Sequence, residues 1–293
     1  MQINTLINSE KKEFDRFFKK FLLSILHKEE LSKAMIYGSM NGGKRIRPFI
    51  VSVFAKIAKI KKENYLRLSA AIECIHSYSL IHDDLPSMDN DDYRRGKQSV
   101  HKKFNEATAI LAGDSLHDLA FEIISNKKTH RDINLRIKLV EKFSKILGFQ
   151  GLAGGQSFDL FFENQTVKID KILNMYAMKT SALFSFCCFA PFILGKKNNK
   201  DIKFAEDYGN LFGLIFQIID DIIDETSNFK LLGKTPGKDK KQGKSTLTSL
   251  IGKKEAIKYC NNQIHKFNNR YKEYLKKYSI LEDILLFNLN RLN

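Results

Sequence analysis

The stretch that decides the fold is FGLIFQIIDDIIDE, residues 212–225. Around it, from Phe204 to Ile223, apolar side chains recur at intervals of three and four residues, which predicts a helix that is apolar on most sides. Such a helix belongs inside a large helical bundle. One face of it nevertheless carries four polar side chains at i, i+3, i+4 and i+7: Gln217, Asp220, Asp221 and Asp224. Carboxylates crowded on one buried stripe repel one another, so cations must hold them.

Another acidic motif, SLIHDDLPSMDNDDYRRG (79–96), follows a second apolar helical stretch, Leu66 to Ile81. It comes earlier in the chain and is called the first acidic motif; the one in residues 212–225 is the second. Asp83 and Asp84 occupy the C-terminal end of that helix, where negative charge is unfavourable unless a cation offsets it. Asp89 completes a DDxxxxD pattern. Carboxylate oxygens suit Mg²⁺ that bridges to a substrate phosphate. The alternative is a solvated acidic turn, but two acidic motifs on two apolar helices favour metal binding.

Basic residues accompany both acidic motifs. They are Lys44, Arg45 and Arg47 in GGKRIRP, then Arg94 and Arg95, then Lys179 inside the apolar YAMKTSALFSF, and then Lys234, Lys238 and Lys244 in GKTPGKDKKQGKST. Arginine makes planar, multidentate contacts with phosphate oxygens, and a lone lysine in an apolar helix requires an anion. GGKRIRP lacks the spacing of a P-loop. The glycines of GLAGGQSFDL predict either tight helix packing or a direct approach of backbone to substrate.

The composition indicates a globular helical protein. The chain has 293 residues, a net charge of +16, and only four prolines and 16 glycines. Much of the surface lysine can lack any partner, since the Lys-, Asn- and Ile-rich composition is typical of AT-biased coding. The four cysteines form no CxxC pair and predict buried apolar positions in a reducing compartment, hence a cytoplasmic location.

Neither a signal peptide nor a membrane span is expected. The N-terminal stretch MQINTLINSEKKEFDRFF has no apolar core. The longest apolar run, Leu183 to Leu194, is shorter than the roughly 20 residues that cross a bilayer, and Pro191 interrupts it. No proline- or serine-rich linker divides the chain, so a single domain over residues 1–293 is predicted.

Taken together and in order, these motifs resemble the short-chain trans-prenyl diphosphate synthases of the bacterial farnesyl diphosphate synthase type. The resemblance runs from about Gly42 to Gly252 and includes GGKRIRP, DDLPSMDNDDYRRG, GGQSFDL, MKTSALF, FQIIDDIID and GKTPGKDKKQGKST. It implies an all-α helical bundle around a deep central cavity, the isoprenoid synthase fold, and a homodimer. It also implies Mg²⁺-dependent condensation of isopentenyl diphosphate with dimethylallyl and geranyl diphosphate.

The resemblance implies a role for each matching residue. The residues implied to hold Mg²⁺ are Asp83, Asp84, Asp89 and Asp220, with Asp221 and Asp224 in support. Those implied to bind isopentenyl diphosphate are Lys44, Arg47, His76 and Arg95. Those implied to bind the allylic diphosphate are Arg94, Lys179, Lys234 and Lys244, while Thr180 and Gln217 face the reacting carbons. Tyr78, five residues before Asp83, resembles the aromatic residue that stops chain growth at C15.

Other functions are compatible with parts of the pattern. A geranylgeranyl diphosphate synthase would share the motifs but make a longer product. A terpene cyclase would not need GGKRIRP or a second acidic motif, and an inactive partner subunit would usually lack one of the two. A helical nucleic-acid-binding protein would need basic residues clustered on one face, whereas the basic residues here flank acidic ones.

Overall fold

The computed structural model describes residues 3–226 and 243–292. Its helices are α1 (Ile3–Ile25), α2 (Glu30–Met40), α3 (Ile46–Ala58), α4 (Lys62–Asp83), α5 (Val100–Lys103), α6 (Glu106–Ser125), α7 (Ile133–Leu147), α8 (Leu152–Phe161), α9 (Ile169–Tyr176), a π-helix (Ala177–Ser181), α10 (Ala182–Leu194), α11 (Asn199–Thr226), α12 (Leu247–Ile251), α13 (Lys253–Arg270), α14 (Lys272–Lys277), α15 (Ile280–Leu289) and a 3-10 turn (Asn290–Leu292). Within the described residues, the only strands are β1 (Tyr93–Arg94) and β2 (Lys97–Gln98). The predicted all-α class is therefore confirmed.

The two helices predicted from periodicity lie in the core. In α4, Leu68, Ile72 and Ile75 are fully buried. In α11, Ile215, Ile219 and Ile222 are fully buried as well. Both helices begin a few residues earlier than the apolar pattern, because polar residues form their first turns.

The described chain packs as two compact units. The first comprises residues 3–140 and 193–195, and the second residues 141–192, 196–226 and 243–292. In the first unit α4 packs against α3 and α6, and α2 packs against α6. In the second unit α11 packs against the π-helix, α13 and α15. The single domain and its central cavity stay predictions.

A buried ion cluster secures the start of α3 in the first unit. Arg45 adopts a left-handed conformation, with φ of 52°, and its guanidinium points inward, with 1% of its side chain exposed. It donates to Glu73 at 2.5 Å, to Asp15 at 2.8 Å and to the Ser39 carbonyl at 2.9 Å. Of the three basic residues of GGKRIRP, Arg45 therefore has a structural role inside the protein.

The hairpin between β1 and β2 was not predicted. Its turn is formed by Arg95 and Gly96, both with positive φ (55° and 76°). Two consecutive left-handed residues make the tight turn that joins antiparallel strands. This turn fixes the position of Arg95 at the tip of the hairpin.

Among residues 3–226 and 243–292, one helical stretch has the length and composition of a membrane span, Ile169–Leu194. It is longer than the apolar run in the sequence because α9, the π-helix and α10 are continuous. Of its most apolar 18-residue window, 78% is buried inside the protein, as in the core helix of a globular fold. All four cysteines are buried and free, as predicted.

We expect Glu73→Gln to destabilise the protein by about 3–5 kcal/mol, because it leaves the buried Arg45 guanidinium short of negative charge. Chemical denaturation measures the free energy of unfolding. The control is Lys62→Ala, which breaks an exposed pair with Glu13 and should cost at most about 1 kcal/mol. Equal effects of the two substitutions would show that the Arg45 cluster does not stabilise the fold.

Candidate active site

The first acidic motif is a compact turn after α4. The helix ends at Asp83, and the Asp89 amide donates to the Asp83 carbonyl at 2.8 Å. The Asp91 amide donates likewise to the Asp84 carbonyl at 3.1 Å. These hydrogen bonds return Asp89 to the end of the helix, as the DDxxxxD pattern predicts.

Arg94 lies against the middle of this turn. Its Nε donates to Asp84 Oδ1 at 2.9 Å, and one terminal nitrogen lies 3.4 Å from Asp91. Burial raises the pKa of Asp84 to about 6, Arg94 opposes this rise, and Asp91 and Asp89 add to it. Burial is therefore the main reason that the ionised form of Asp84 is disfavoured, and Arg94 offsets part of that effect.

The chemistry of the oxygen donors in this turn is the test of whether Mg²⁺ fits. Among the residues that the structure describes, no three His, Cys, Asp or Glu side chains could hold a metal ion unaided. Mg²⁺ bound with a substrate phosphate needs only one or two carboxylates, and waters complete its shell. Asp83 and Asp89 are half-buried, are joined by a backbone hydrogen bond, and offer carboxylate oxygens next to Asp84. The residues present therefore fit the metal.

A basic cluster lies in the same unit. An Arg95 terminal nitrogen lies 3.4 Å from His76 Nε2, and the other donates to the Gly42 carbonyl at 2.8 Å. Gly43 makes room for this guanidinium, since a Cβ there would come within 2.6 Å of Arg95 Cζ. The structure thus brings together GGKRIRP, His76 and the end of the acidic loop.

The cluster keeps His76 neutral. Burial first, and then the charges of Arg47 and Arg95 with smaller contributions from Arg45 and Arg94, lowers the pKa of His76 well below its usual range. Arg47 is half-buried near the start of α3, and Lys44 is exposed in the preceding loop. The arrangement is a set of cations with one neutral hydrogen-bonding ring.

Tyr78 lies on α4, one helical turn before the acidic motif. Its half-buried ring makes edge contacts with His82 and His117, at centroid distances of 4.9 and 5.2 Å. Gly113 on α6 admits the His82 ring, because a Cβ there would come within 2.1 Å of His82 Nε2. Two imidazoles therefore hold the tyrosine ring.

The second acidic motif forms a hydrogen-bonded chain in the second unit. The Thr180 hydroxyl donates to Gln217 Oε1 at 2.7 Å, and the Gln217 amide nitrogen donates to Asp221 Oδ1 at 2.8 Å. Asp221 also accepts from the Tyr176 hydroxyl. Thr180 and Gln217, both predicted to face the reacting carbons, are joined by a hydrogen bond.

Asp220, on the same helix, has a different partner. Arg291 of the C-terminal 3-10 turn pairs with Asp220 Oδ1 and lies over the Phe216 ring, 4.0 Å from its centroid. Asn288 fixes this end of the chain by donating to the Phe212 carbonyl at 3.0 Å. The carboxylate predicted to bind metal is thus held by an arginine 71 residues away.

Asp159 binds two of the lysines that are predicted to contact the allylic diphosphate. Its Oδ2 accepts from Lys179 Nζ at 2.6 Å and from Lys244 Nζ at 3.2 Å. Burial alone would raise the pKa of Asp159, but the two ammonium groups lower it from 3.8 to about 2. Lys234, the third predicted lysine, lies outside the described residues.

Comparisons with known proteins identify the family of this chain. The Polyprenyl synthetase family matches residues 28–284. The farnesyl diphosphate synthase of Escherichia coli is 39% identical over 237 residues, covering 79% of this chain and 78% of that protein. The chain belongs to the polyprenyl synthetase family.

Solved structures of this family share the fold over the whole chain. An FPP/GFPP synthase from Zymomonas mobilis superposes with a TM-score of 0.86 at 36% identity, covering 99% of this chain and all of the other. A geranyltransferase from Helicobacter pylori, complexed with magnesium and isoprenyl diphosphate, has a TM-score of 0.85 at 30% identity and covers 100% and 98%. The expected isoprenoid synthase fold is confirmed.

In this polyprenyl synthetase, GGQSFDL serves helix packing. A Cβ at Gly155 would lie 2.3 Å from the Lys179 backbone nitrogen, so α8 packs directly on the π-helix. The wider π-turn, which sequence periodicity does not reveal, carries Lys179 and Thr180. Irregular helical turns of this kind are frequent at functional sites.

Three residues of this site were not predicted from the sequence. Asp159 lies in the quoted GGQSFDL, where a carboxylate among apolar residues was the available signal. Arg291 is the one basic residue of the apolar C-terminal stretch LLFNLNRLN. Tyr176 precedes the π-helix among other apolar residues and gave no signal.

Asp159→Asn should lower the melting temperature at pH 7, because the ion pairs with Lys179 and Lys244 are lost. A carboxyl whose folded pKa is depressed stabilises the protein above its unfolded pKa, and this stabilisation disappears as pH falls through the folded value. The lowering from 3.8 to about 2 corresponds to about 2 kcal/mol. The difference from wild type should therefore shrink between about pH 4 and pH 2.

Melting curves of both proteins across this pH range test the expectation. Asp118→Asn is the control, since 88% of the Asp118 side chain is exposed. A wild-type advantage over Asp159→Asn that stays constant as the pH falls would contradict an ionised Asp159.

Proposed function

We propose that this polyprenyl synthetase condenses isopentenyl diphosphate with dimethylallyl diphosphate and then with geranyl diphosphate, and releases farnesyl diphosphate. The observation that carries the proposal is the presence of two separate sets of cations in one chain. One set surrounds His76 and Arg95, and the other is the lysine pair on Asp159. A condensation of two diphosphates needs two such sites, whereas a terpene cyclase needs one.

The cluster in the first unit suits the diphosphate of isopentenyl diphosphate. Arg47 and Arg95 supply planar donors, Lys44 supplies a mobile ammonium, and neutral His76 donates one hydrogen bond without adding charge. Because this substrate keeps its diphosphate throughout the reaction, its site needs no metal. Its cations serve to bind and orient.

The lysine pair suits the diphosphate that departs. Lys179 and Lys244 already share one carboxylate oxygen, so an incoming diphosphate meets two oriented ammonium groups. We assign Arg94 and Lys234 to the same substrate. Mg²⁺ held by Asp83, Asp84, Asp89 and Asp220 would neutralise charge on the leaving oxygen.

The reaction breaks the C1–O bond of the allylic substrate, and the electron pair leaves with the diphosphate. The double bond of isopentenyl diphosphate then attacks C1 and forms the new C–C bond. The Gln217 amide oxygen and the Thr180 hydroxyl oxygen, as dipoles aligned before the reaction, stabilise the allylic cation. A proton is finally lost from C2 of the isopentenyl unit to the released diphosphate.

Location and assembly are part of the proposal. A cytoplasmic enzyme agrees with four free, buried cysteines. A homodimer agrees with exposed apolar side chains in the first unit, Ile110 and Leu111 on α6 and Ile133 and Ile137 on α7, which are 45–59% exposed. Light scattering of the purified protein measures the assembly.

The direct test of the function uses purified protein with isopentenyl and dimethylallyl diphosphates and Mg²⁺. Release of a C15 diphosphate supports the proposal. A cyclic hydrocarbon formed from geranyl or farnesyl diphosphate alone would identify a terpene cyclase instead. Complete inactivity alone would point to a partner subunit that needs a second chain.

Asp83→Ala and Asp220→Ala should each reduce turnover by at least about 10²–10³-fold, since each removes a metal ligand from the departing diphosphate. Steady-state assays at saturating Mg²⁺ measure the loss. Asp92→Ala is the control in the same loop, because Asp92 is 58% exposed and pairs with Lys102. Near-normal turnover by either variant would remove that carboxylate from the proposed metal site.

Tyr78→Ala should lengthen the product from C15 towards C20, because it removes the aromatic ring proposed to stop the growing chain. Chromatography of the dephosphorylated products measures chain length. Tyr78→Phe keeps the ring between His82 and His117 and should still release C15. If a folded, active Tyr78→Ala enzyme makes only C15, chain length is limited elsewhere.

A further inference from the structure

Tyr176 is a buried residue to which the proposed mechanism gives no role. It ends α9, directly before the π-helix, and only 2% of it is exposed. Its hydroxyl accepts from the Leu247 backbone N–H at 2.9 Å and donates to Asp221 Oδ2. Because the Leu247 N–H is a donor only, the tyrosine proton must point to Asp221.

The Asp221 carboxylate in turn fixes the orientation of the Gln217 amide. An ionised carboxylate only accepts, so the Gln217 group that faces it at 2.8 Å must be the NH₂. The amide oxygen is then forced to the other side, where it accepts from Thr180 at 2.7 Å. A flipped amide would place the Gln217 oxygen against the Asp221 carboxylate oxygen, and the two acceptors would repel each other.

The same hydroxyl also fixes the segment that carries Lys244. Leu247 is the first residue of α12, and Thr246 caps this helix with its side chain. Lys244 lies three residues before Leu247 and reaches Asp159. Tyr176 therefore joins the lysine-bearing segment to the chain of hydrogen bonds that orients Gln217.

We infer that Tyr176 is a positioning residue for the condensation: through Asp221 it holds the Gln217 amide oxygen towards the reacting carbons, and through Leu247 it ties that orientation to the start of α12. The inference rests on the proposed function. The Tyr176 side chain is buried and its hydroxyl is engaged by Leu247 and Asp221, so it acts on the rate through Gln217 and not on binding of isopentenyl diphosphate.

Tyr176→Phe removes the hydroxyl and keeps the ring. We expect kcat to fall by about 10- to 100-fold, the range for one hydrogen bond to a charged group. The KM for isopentenyl diphosphate should stay within about threefold of wild type. Tyr208→Phe is the matched control, since Tyr208 is also buried and its hydroxyl donates to the carbonyl of Leu281, which is not a proposed site residue, at 2.8 Å.

A double-mutant cycle separates positioning from a general loss of structure. Adding Tyr176→Phe to Gln217→Ala should lower kcat little further, because the residue it positions is already gone. Asp221→Asn, which keeps the size and allows the amide to flip, should show the same lack of additivity with Gln217→Ala. It provides the test if Tyr176→Phe does not fold.

The outcomes are distinct. An inactive wild-type protein would refute the proposed function. An active wild type in which Tyr176→Phe behaves like Tyr208→Phe, or in which the losses of the cycle multiply fully, would overturn the role of Tyr176 alone.

Discussion

Negative charge inside an apolar helical core must be balanced where it lies, and the rest of this structure follows from that requirement. Asp159, whose side chain is 10% exposed, is balanced by Lys179 and Lys244, while the more exposed Asp220, at 42%, pairs with Arg291. The same ammonium groups that satisfy Asp159 are the ones a diphosphate would attract, so structural and functional electrostatics coincide.

The two acidic motifs resolve this requirement differently. In the second motif, hydrogen bonds from Tyr176 and Gln217 satisfy Asp221. In the first, Arg94 only partly offsets the effect of burial on Asp84, so the pKa of Asp84 stays raised to about 6. Both motifs are thus partly balanced by the protein's own side chains, by Arg94 in the first and by Tyr176 and Gln217 in the second.

Backbone geometry decides how closely these groups approach. Gly155 lets α8 contact the backbone of the π-helix, which brings Asp159 to Lys179. Gly43 makes room for the Arg95 guanidinium, which then reaches His76. The missing side chain makes space for a helix backbone at Gly155 and for a guanidinium at Gly43, so both glycines act through packing.

The sequence by itself determined the all-helical class, the two acidic motifs and the basic residues beside them, because helical periodicity and spacing are local properties. It also indicated the buried cysteines and the buried faces of α4 and α11. Only the tertiary structure decided which charge each carboxylate meets. Asp220 meets Arg291 71 residues away, and Asp159 meets Lys244 85 residues away. Such partners are chosen by the packing of distant helices, and no local pattern records that choice.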